Sequence, residues 1–399
     1  MIGEAERPLP IADLHCHYPM HLLIGDPGDR SVAAQMPLKG RSLLGKFQTL
    51  ILRIAAALAN FRGRRGELAW RVSLDGIVSG RVQLVCSVAY CPDEEFGIHA
   101  WGGDPISDGA FDRLTEQLDL VDAALALDPR VGLVRTRAEL AVATSAGRSS
   151  FVHTIEGGFH IGDEAALIDQ RVGLLKQRGV ACITIAHLFW RGIATDAPAL
   201  PNLPEWLVNL LWPQPKRIDG LSPLGVALIE AMYRHRILVD LSHMNAAAIA
   251  RTLALLDGLD QGASGEGPTP FPVTATHCGY RFGDRSYMLP RPTIEAIARR
   301  GGVVGLIMGE DLLCDSIPER GFDAIARHVD VIHAITGGFD NIGIGSDLDG
   351  FVDPTIEPVQ RVEDLARLGD WLVHRYGYEA AEAICFNNAR RVIEAMLDP

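Results

Sequence analysis

Ile11-Ala12-Asp13-Leu14-His15-Cys16-His17, close to the start of the chain, decides how the rest of the sequence is understood. As a strand it sends alternate side chains to opposite faces, so His15 and His17 share one face and Leu14 and Cys16 the other. Two imidazoles on one face at a strand end can grip a divalent cation. Alone, the pair is equally compatible with two polar residues where a strand meets its loop. The difference lies in whether the pattern recurs.

It does recur. Ser149 to Ile155 runs straight into Glu156-Gly157-Gly158, and Ala181 to Ala186 leads to His187. Ile237 to Leu241 leads to Ser242-His243, Phe271 to Thr276 to His277, and Asn341 to Gly345 to Ser346-Asp347. Val82 to Tyr90 and Gly302 to Ile307 complete a set of eight apolar, strand-like runs. Helical periodicity separates most of them: Phe111 to Leu127, Val134 to Ala143, Ala165 to Gln177, Gly225 to Arg236, Ala246 to Leu256, Thr293 to Arg300 and Phe322 to Thr336. Two further helices, near Val362–Arg375 and Glu379–Leu397, close the chain. Strands alternating with helices imply a parallel sheet, and eight such units imply an α/β fold of the (β/α)₈ TIM-barrel type with inserted loops and helices, one domain over residues 1–399. Active sites in such barrels lie at the C-terminal ends of the strands, where six of the eight runs here end in His15/His17, Glu156, His187, His243, His277 and Asp347. A flat doubly wound sheet would not bring all six to one point.

Bulk composition agrees. With 48% hydrophobic and 22% charged residues, the 399-residue chain can bury a large core. A formal charge of −13 argues against nucleic acid or an anionic membrane surface as the main partner. Seven cysteines show no CxxC pair and no framework spacing, which suits a reducing, cytoplasmic setting without structural disulfides. Met1 to Pro10 lacks the apolar core of a secretory signal. Leu43 to Ala59 contains Lys46, Gln48 and Arg53; it is too polar and short to cross a bilayer and is expected to form an amphipathic helix ended by Arg62-Gly63-Arg64-Arg65. The Pro-rich stretch from Ala197 to Pro215 is expected to be a long loop lying over the site, and Gly258 to Pro270 a surface loop.

Each strand-end residue taken singly has a bland explanation. His187 would be a hydrogen-bonded core histidine, His243 and His277 helix caps, Glu156 a turn residue, and Asp347 a turn partner of Asp349-Gly350. Their joint occurrence is what that explanation leaves out. Buried ionisable groups are costly unless paired or bound to metal, so imidazoles and carboxylates converging in one mouth ask for a cation. The mix suits zinc, with manganese, cobalt or iron as alternatives. Glu156, with two oxygens, is suited to bridging two ions. Asp347 would accept a proton from the water that such a cation acidifies.

On these residues the sequence resembles the membrane (renal-type) dipeptidases, family M19 of the amidohydrolase superfamily. The resemblance is carried, in order, by Asp13-Leu14-His15-Cys16-His17, Ile155-Glu156-Gly157-Gly158, Thr184-Ile185-Ala186-His187, Val239-Asp240-Leu241-Ser242-His243, Val273-Thr274-Ala275-Thr276-His277 and Gly343-Ile344-Gly345-Ser346-Asp347-Leu348-Asp349-Gly350, with Asn388-Ala389-Arg390-Arg391-Val392 like the family's last helix. It implies a zinc hydrolase of dipeptides with two ions, or one. His15 and His17 would hold the first ion, His243 and His277 the second, and Glu156 would bridge them. Asp347 would be the acid/base, His187 would polarise the scissile carbonyl, and Arg285, with Arg281 next in line, would bind the substrate carboxylate. It also implies a homodimer. The chain departs from the family in carrying His-x-His where His-x-Asp is usual, and in the bulky Leu188-Phe189-Trp190-Arg191 after His187. The expected activity is therefore metal-dependent dipeptide hydrolysis. An amidohydrolase for another amide, lactone or ester is the alternative, and a non-catalytic binding protein on the same barrel is the third.

Overall fold

The structure, a computed structural model, describes residues 8–24, 70–96, 109–200, 204–263, 269–350, 352 and 354–399. Among these, nine strands form one sheet in which every pairing is parallel. They are β1 (Ile11–Cys16), β2 (Val82–Ala89), β3 (Val131–Leu133), β4 (Ser149–Glu156), β5 (Val180–Thr184), β6 (Leu238–Asp240), β7 (Val273–Cys278), β8 (Val303–Leu306) and β9 (Ile342–Ile344). The order around the sheet is β1-β2-β4-β5-β6-β7-β8-β9. The ring shuts just beyond β9, where the Asp347 amide donates to His15 O at 2.8 Å and the His17 amide to Leu348 O at 3.1 Å. This is the expected eight-stranded barrel, with helices between strands.

The ninth strand is the difference. β3 pairs with Ser149–Phe151 of β4, of which β2 pairs Ser150 and Phe151 along the other edge, so β3 lies beside the first half of β4 where β5 takes the second. Three residues, Val131-Gly132-Leu133, are too few to show alternation, and the helix expected from Val134 instead begins at Arg137. Thr136 sets that start through a capping box with Glu139.

Buried strands explain why the runs read as continuous apolar stretches: all eight residues of β4 are buried, as are all of β1 and β7. The strands come unusually close near Thr276, because a Cβ on either Gly305 or Gly345 would run into its carbonyl oxygen. Helices Ala165–Gln177 and Phe322–Thr336 fall where periodicity puts them. The Pro-rich stretch is not all loop: Glu205–Leu211 is helical, behind Pro204. The helix expected to end at Leu256 continues to Gly262, and the last expected helix is split by a π-helical turn at Ala383–Asn387. The Leu43–Ala59 helix and its basic turn lie outside the described residues. No described helix is long and apolar enough to cross a membrane. The seven cysteines are all free, and six are buried.

Candidate active site

The strand ends meet around one carboxylate. Glu156, at the end of β4 and 2% exposed, has five imidazoles about it. Its Oε1 lies 3.3 Å from His15 Nε2, 3.4 Å from His243 Nε2 and 3.3 Å from His277 Nε2, and its Oε2 lies 3.3 Å from His17 Nε2 and from His187 Nε2. Asp347 Oδ1 stands 3.3 Å from His17 Nε2. Every one of these side chains is buried. The seven metal-competent residues expected from the sequence are therefore brought together.

Backbone geometry aims them. His15, near the end of β1, and His17, just past it, both bring Nε2 to the mouth, 3.2 Å apart. His243 and Asp347 sit just past their strands in left-handed backbone, at φ 64° and 57°, a conformation that turns the side chain back over the barrel mouth. Gly350 leaves the space that Asp347 and His17 need, because a Cβ there would collide with Asp347 Oδ1 and the His17 ring.

The donor set fits a divalent cation. His15 and His17 approach Nε2 to Nε2 at 3.2 Å, and His243 and His277 at 2.9 Å, while a sealed carboxylate faces all four. Three groups have ligand atoms close enough for one ion: His15/Glu156/His277, His15/His17/Asp347 and Glu156/His187/His243. Burial disfavours charge on each ring, but the carboxylates redistribute it. Against that burial, hydrogen bonds to Asp347 and Glu156 push His17 up to about 10, and the fields of Glu156 and Glu95 push His187 up to about 9. Burial, with His187 alongside, takes His243 down to about 4. Burial would raise Glu156, yet the imidazoles around it, His187 and His15 foremost, hold it well below the usual carboxylate range.

Above this cluster is a cavity of about 120 Å³ reached by His17, Glu156, His187, His243 and Asp347. Its walls are Tyr90, Tyr287 and the apolar Leu188, Ala199, Leu200, Ile307, Leu312 and Val352, with Asp311 also on the lining. Ala199 and Leu200, at the start of the Pro-rich stretch, line the cavity, as does Leu188 from the bulky loop after His187. Arg285 is placed differently from the expectation. It pairs with Asp315, Nε to Oδ1 at 3.5 Å, and does not line the cavity. Arg281 is spent on its own loop, donating to the carbonyls of Met288 at 2.8 Å and Ser286 at 2.6 Å. No arginine or lysine is among the described residues that line the cavity.

One participant has no signal in the sequence. Glu95, in the short helix Pro92–Phe96, is fully buried and accepts from Tyr90 Oη at 2.7 Å and from the Phe189 amide at 3.0 Å. It also pairs with His187 Nδ1, on the side of the ring away from Glu156.

The family model that describes membrane dipeptidases, peptidase family M19, matches residues 8–398. The chain belongs to that family. Among curated proteins it is 23% identical over 346 residues to the dipeptidase tcpJ of Claviceps purpurea, an alignment covering 83% of this chain and 71% of that one. It is 26% identical over 259 residues to the uncharacterized dipeptidase C965.12 of Schizosaccharomyces pombe, covering 63% of this chain and 52% of the relative. Solved structures share the fold. The dipeptidase AC, a metallopeptidase of family M19, superposes with a TM-score of 0.68 at 19% identity, covering 98% of this chain and all of the other. A metallopeptidase from Rhodobacter sphaeroides, solved with a phosphinate mimic of the dipeptide L-Ala-D-Ala, gives 0.67 at 19% identity, covering 98% and 100%. This M19 chain is a metal-dependent dipeptidase by family.

Proposed function

We propose that the protein cleaves the peptide bond of short dipeptides with zinc, as two ions or one, held by His15, His17, Glu156, His243 and His277. The observation that carries this is the ring of five Nε2 atoms within 3.3–3.4 Å of the buried Glu156 carboxylate. Bound zinc would acidify a water and polarise the scissile carbonyl.

The chain's own groups do the rest. Asp347 lines the cavity with Oδ1 toward His17; it takes the proton from the attacking water and returns it to the leaving amine. His187 presents Nε2 to the cavity and donates to the oxygen that gains charge as the carbonyl is attacked. Glu95 holds that ring by its other nitrogen. The apolar walls and small volume favour compact, uncharged side chains on the substrate. A cytoplasmic homodimer completes the proposal.

The test is metal analysis of purified protein, then hydrolysis of L,L and L,D dipeptides before and after chelation. Zinc at one or two equivalents, with chelator-sensitive dipeptide cleavage, is expected. A metal-replete protein that cleaves no dipeptide would overturn the substrate assignment, and a metal-free active one the mechanism.

A further inference from the structure

We propose that one hydroxyl, that of Thr276, fixes the protonation pattern of two imidazoles at once, His15 and His277, and so couples the two metal positions they serve. This rests on the metal reading of the site given above.

The argument is a count of protons. A threonine hydroxyl has one proton to give and two lone pairs to offer. Thr276 Oγ1 has three partners: Asp240 Oδ2 at 2.6 Å, His277 Nδ1 at 2.8 Å and His15 Nδ1 at 3.0 Å. Asp240 is fully buried, and every group around it is a donor. Oδ1 accepts from the amides of Ser242 at 3.0 Å and Thr276 at 2.9 Å and from the Ser242 hydroxyl at 2.8 Å, and Oδ2 accepts from the Thr184 hydroxyl at 2.7 Å. The proton of Thr276 therefore goes to Asp240. Its two lone pairs remain, and each faces an Nδ1, so both rings carry their proton on Nδ1.

That leaves Nε2 of His15 and of His277 as the lone-pair nitrogens, and both stand 3.3 Å from Glu156 Oε1. Lone pairs that face a carboxylate oxygen are stabilised by a cation between them. The two rings also lie against each other, centroids 3.7 Å apart and tilted by 31°, so neither turns alone. His17 and His243 differ: their Nδ1 atoms are buried with no hydrogen-bond partner among the described residues. Each half of the site thus has one braced ligand and one unbraced, and both braces are the same hydroxyl.

The experiment titrates metal-free protein with Zn²⁺ by calorimetry. Thr276→Val removes the hydroxyl at nearly constant shape, and Thr276→Ala removes it without a new methyl should valine not fold. Orienting partners of this kind typically contribute 10- to 100-fold in metal affinity, so both ions should weaken by a factor in that range, and Thr276→Ser should restore them. Thr184→Val is the matched control, since it strips a hydroxyl from the same Asp240 oxygen but touches neither ring; its metal affinity should stay at the wild-type level. Nitrogen-15 spectra of the metal-free protein should show two histidines protonated at Nδ1 that lose that form in Thr276→Val. Unchanged affinity in Thr276→Val, weakening of only one ion, or an equal loss in Thr184→Val would each overturn the coupling. A wild type that takes up no divalent ion would instead overturn the metal reading beneath it.

Discussion

Replacing Glu95 with glutamine perturbs the site without touching the barrel. The carboxylate has only donors about it: the Phe189 amide at Oε1, and Tyr90 Oη and His187 Nδ1 at Oε2. A glutamine must put an NH₂ on one side. Facing Phe189, it sets donor against donor in a fully buried place, at a cost of about 1–3 kcal/mol in stability. Facing His187, it forces Nδ1 to accept and removes the negative charge that supports a positive ring. Hydrogen bonds to charged groups contribute about 1.5–3 kcal/mol and neutral ones about 0.5–1.5, so about 1–2 kcal/mol of support for charge on His187 is lost. If His187 stabilises charge that develops only during reaction, kcat should fall about 5- to 30-fold with KM little changed. The assay is steady-state kinetics on a cleaved dipeptide, with metal content measured on the same preparation. A kcat equal to wild type at full metal content would refute the role given to Glu95. A loss of bound metal would instead make His187 a ligand, in the group it forms with Glu156 and His243.

Three further outcomes are expected. Asp347→Asn should keep metal content and cut turnover about 10²- to 10⁴-fold, whereas loss of metal, measured by elemental analysis, would reassign it as a ligand. Asp196 is held up to about 8 by burial against an ordinary value of 3.8, so between those values the folded chain holds a proton that the unfolded chain has released, and stability falls as pH rises. Asp196→Asn should flatten that fall, by up to about 1.4 kcal/mol per pH unit within the window, in denaturant unfolding from pH 4 to 8. Arg285→Lys, compared on a dipeptide and its C-terminal amide, should leave the ratio of the two rates unchanged, because Arg285 is paired with Asp315; a selective loss on the free dipeptide would show that it reads the carboxylate.

What was legible in the sequence follows from what each residue's neighbours in the chain reveal. His15, His17, Glu156, His187, His243, His277 and Asp347 each close an apolar run, so one-dimensional order already says that they share the mouth of a barrel. Glu95 closes no such run, standing a helical turn beyond the one that ends at Tyr90. It lies in a single helical turn after Cys91-Pro92, and only the three-dimensional return of the loop at His187–Phe189 gives it meaning. Thr276 was hidden differently, since a threonine inside a strand is what strand propensity alone predicts. β3 escaped because three residues carry no period, and the helix at Glu205–Leu211 because five prolines around it outweigh its short apolar stripe. For the arginines the chain gives only an order after His277; which one reaches the cavity depends on a loop that turns Arg281 onto its own carbonyls and Arg285 toward Asp315.

Closure of the ring also has a temporal side. Asp13 accepts from the Ser346 amide at 2.8 Å across 333 residues, and Asp347 donates its amide to His15 just beyond. His15 and His17 therefore wait for β9, the last of the described strands, before the site around them exists. Pairings so remote in sequence are slow to form, because the loop entropy between them must be lost before any contact compensates. A chain that stops short of residue 346 has His15 and His17 but neither the Ser346 partner of Asp13 nor Asp347, so the ring and the site are completed by the same late stretch.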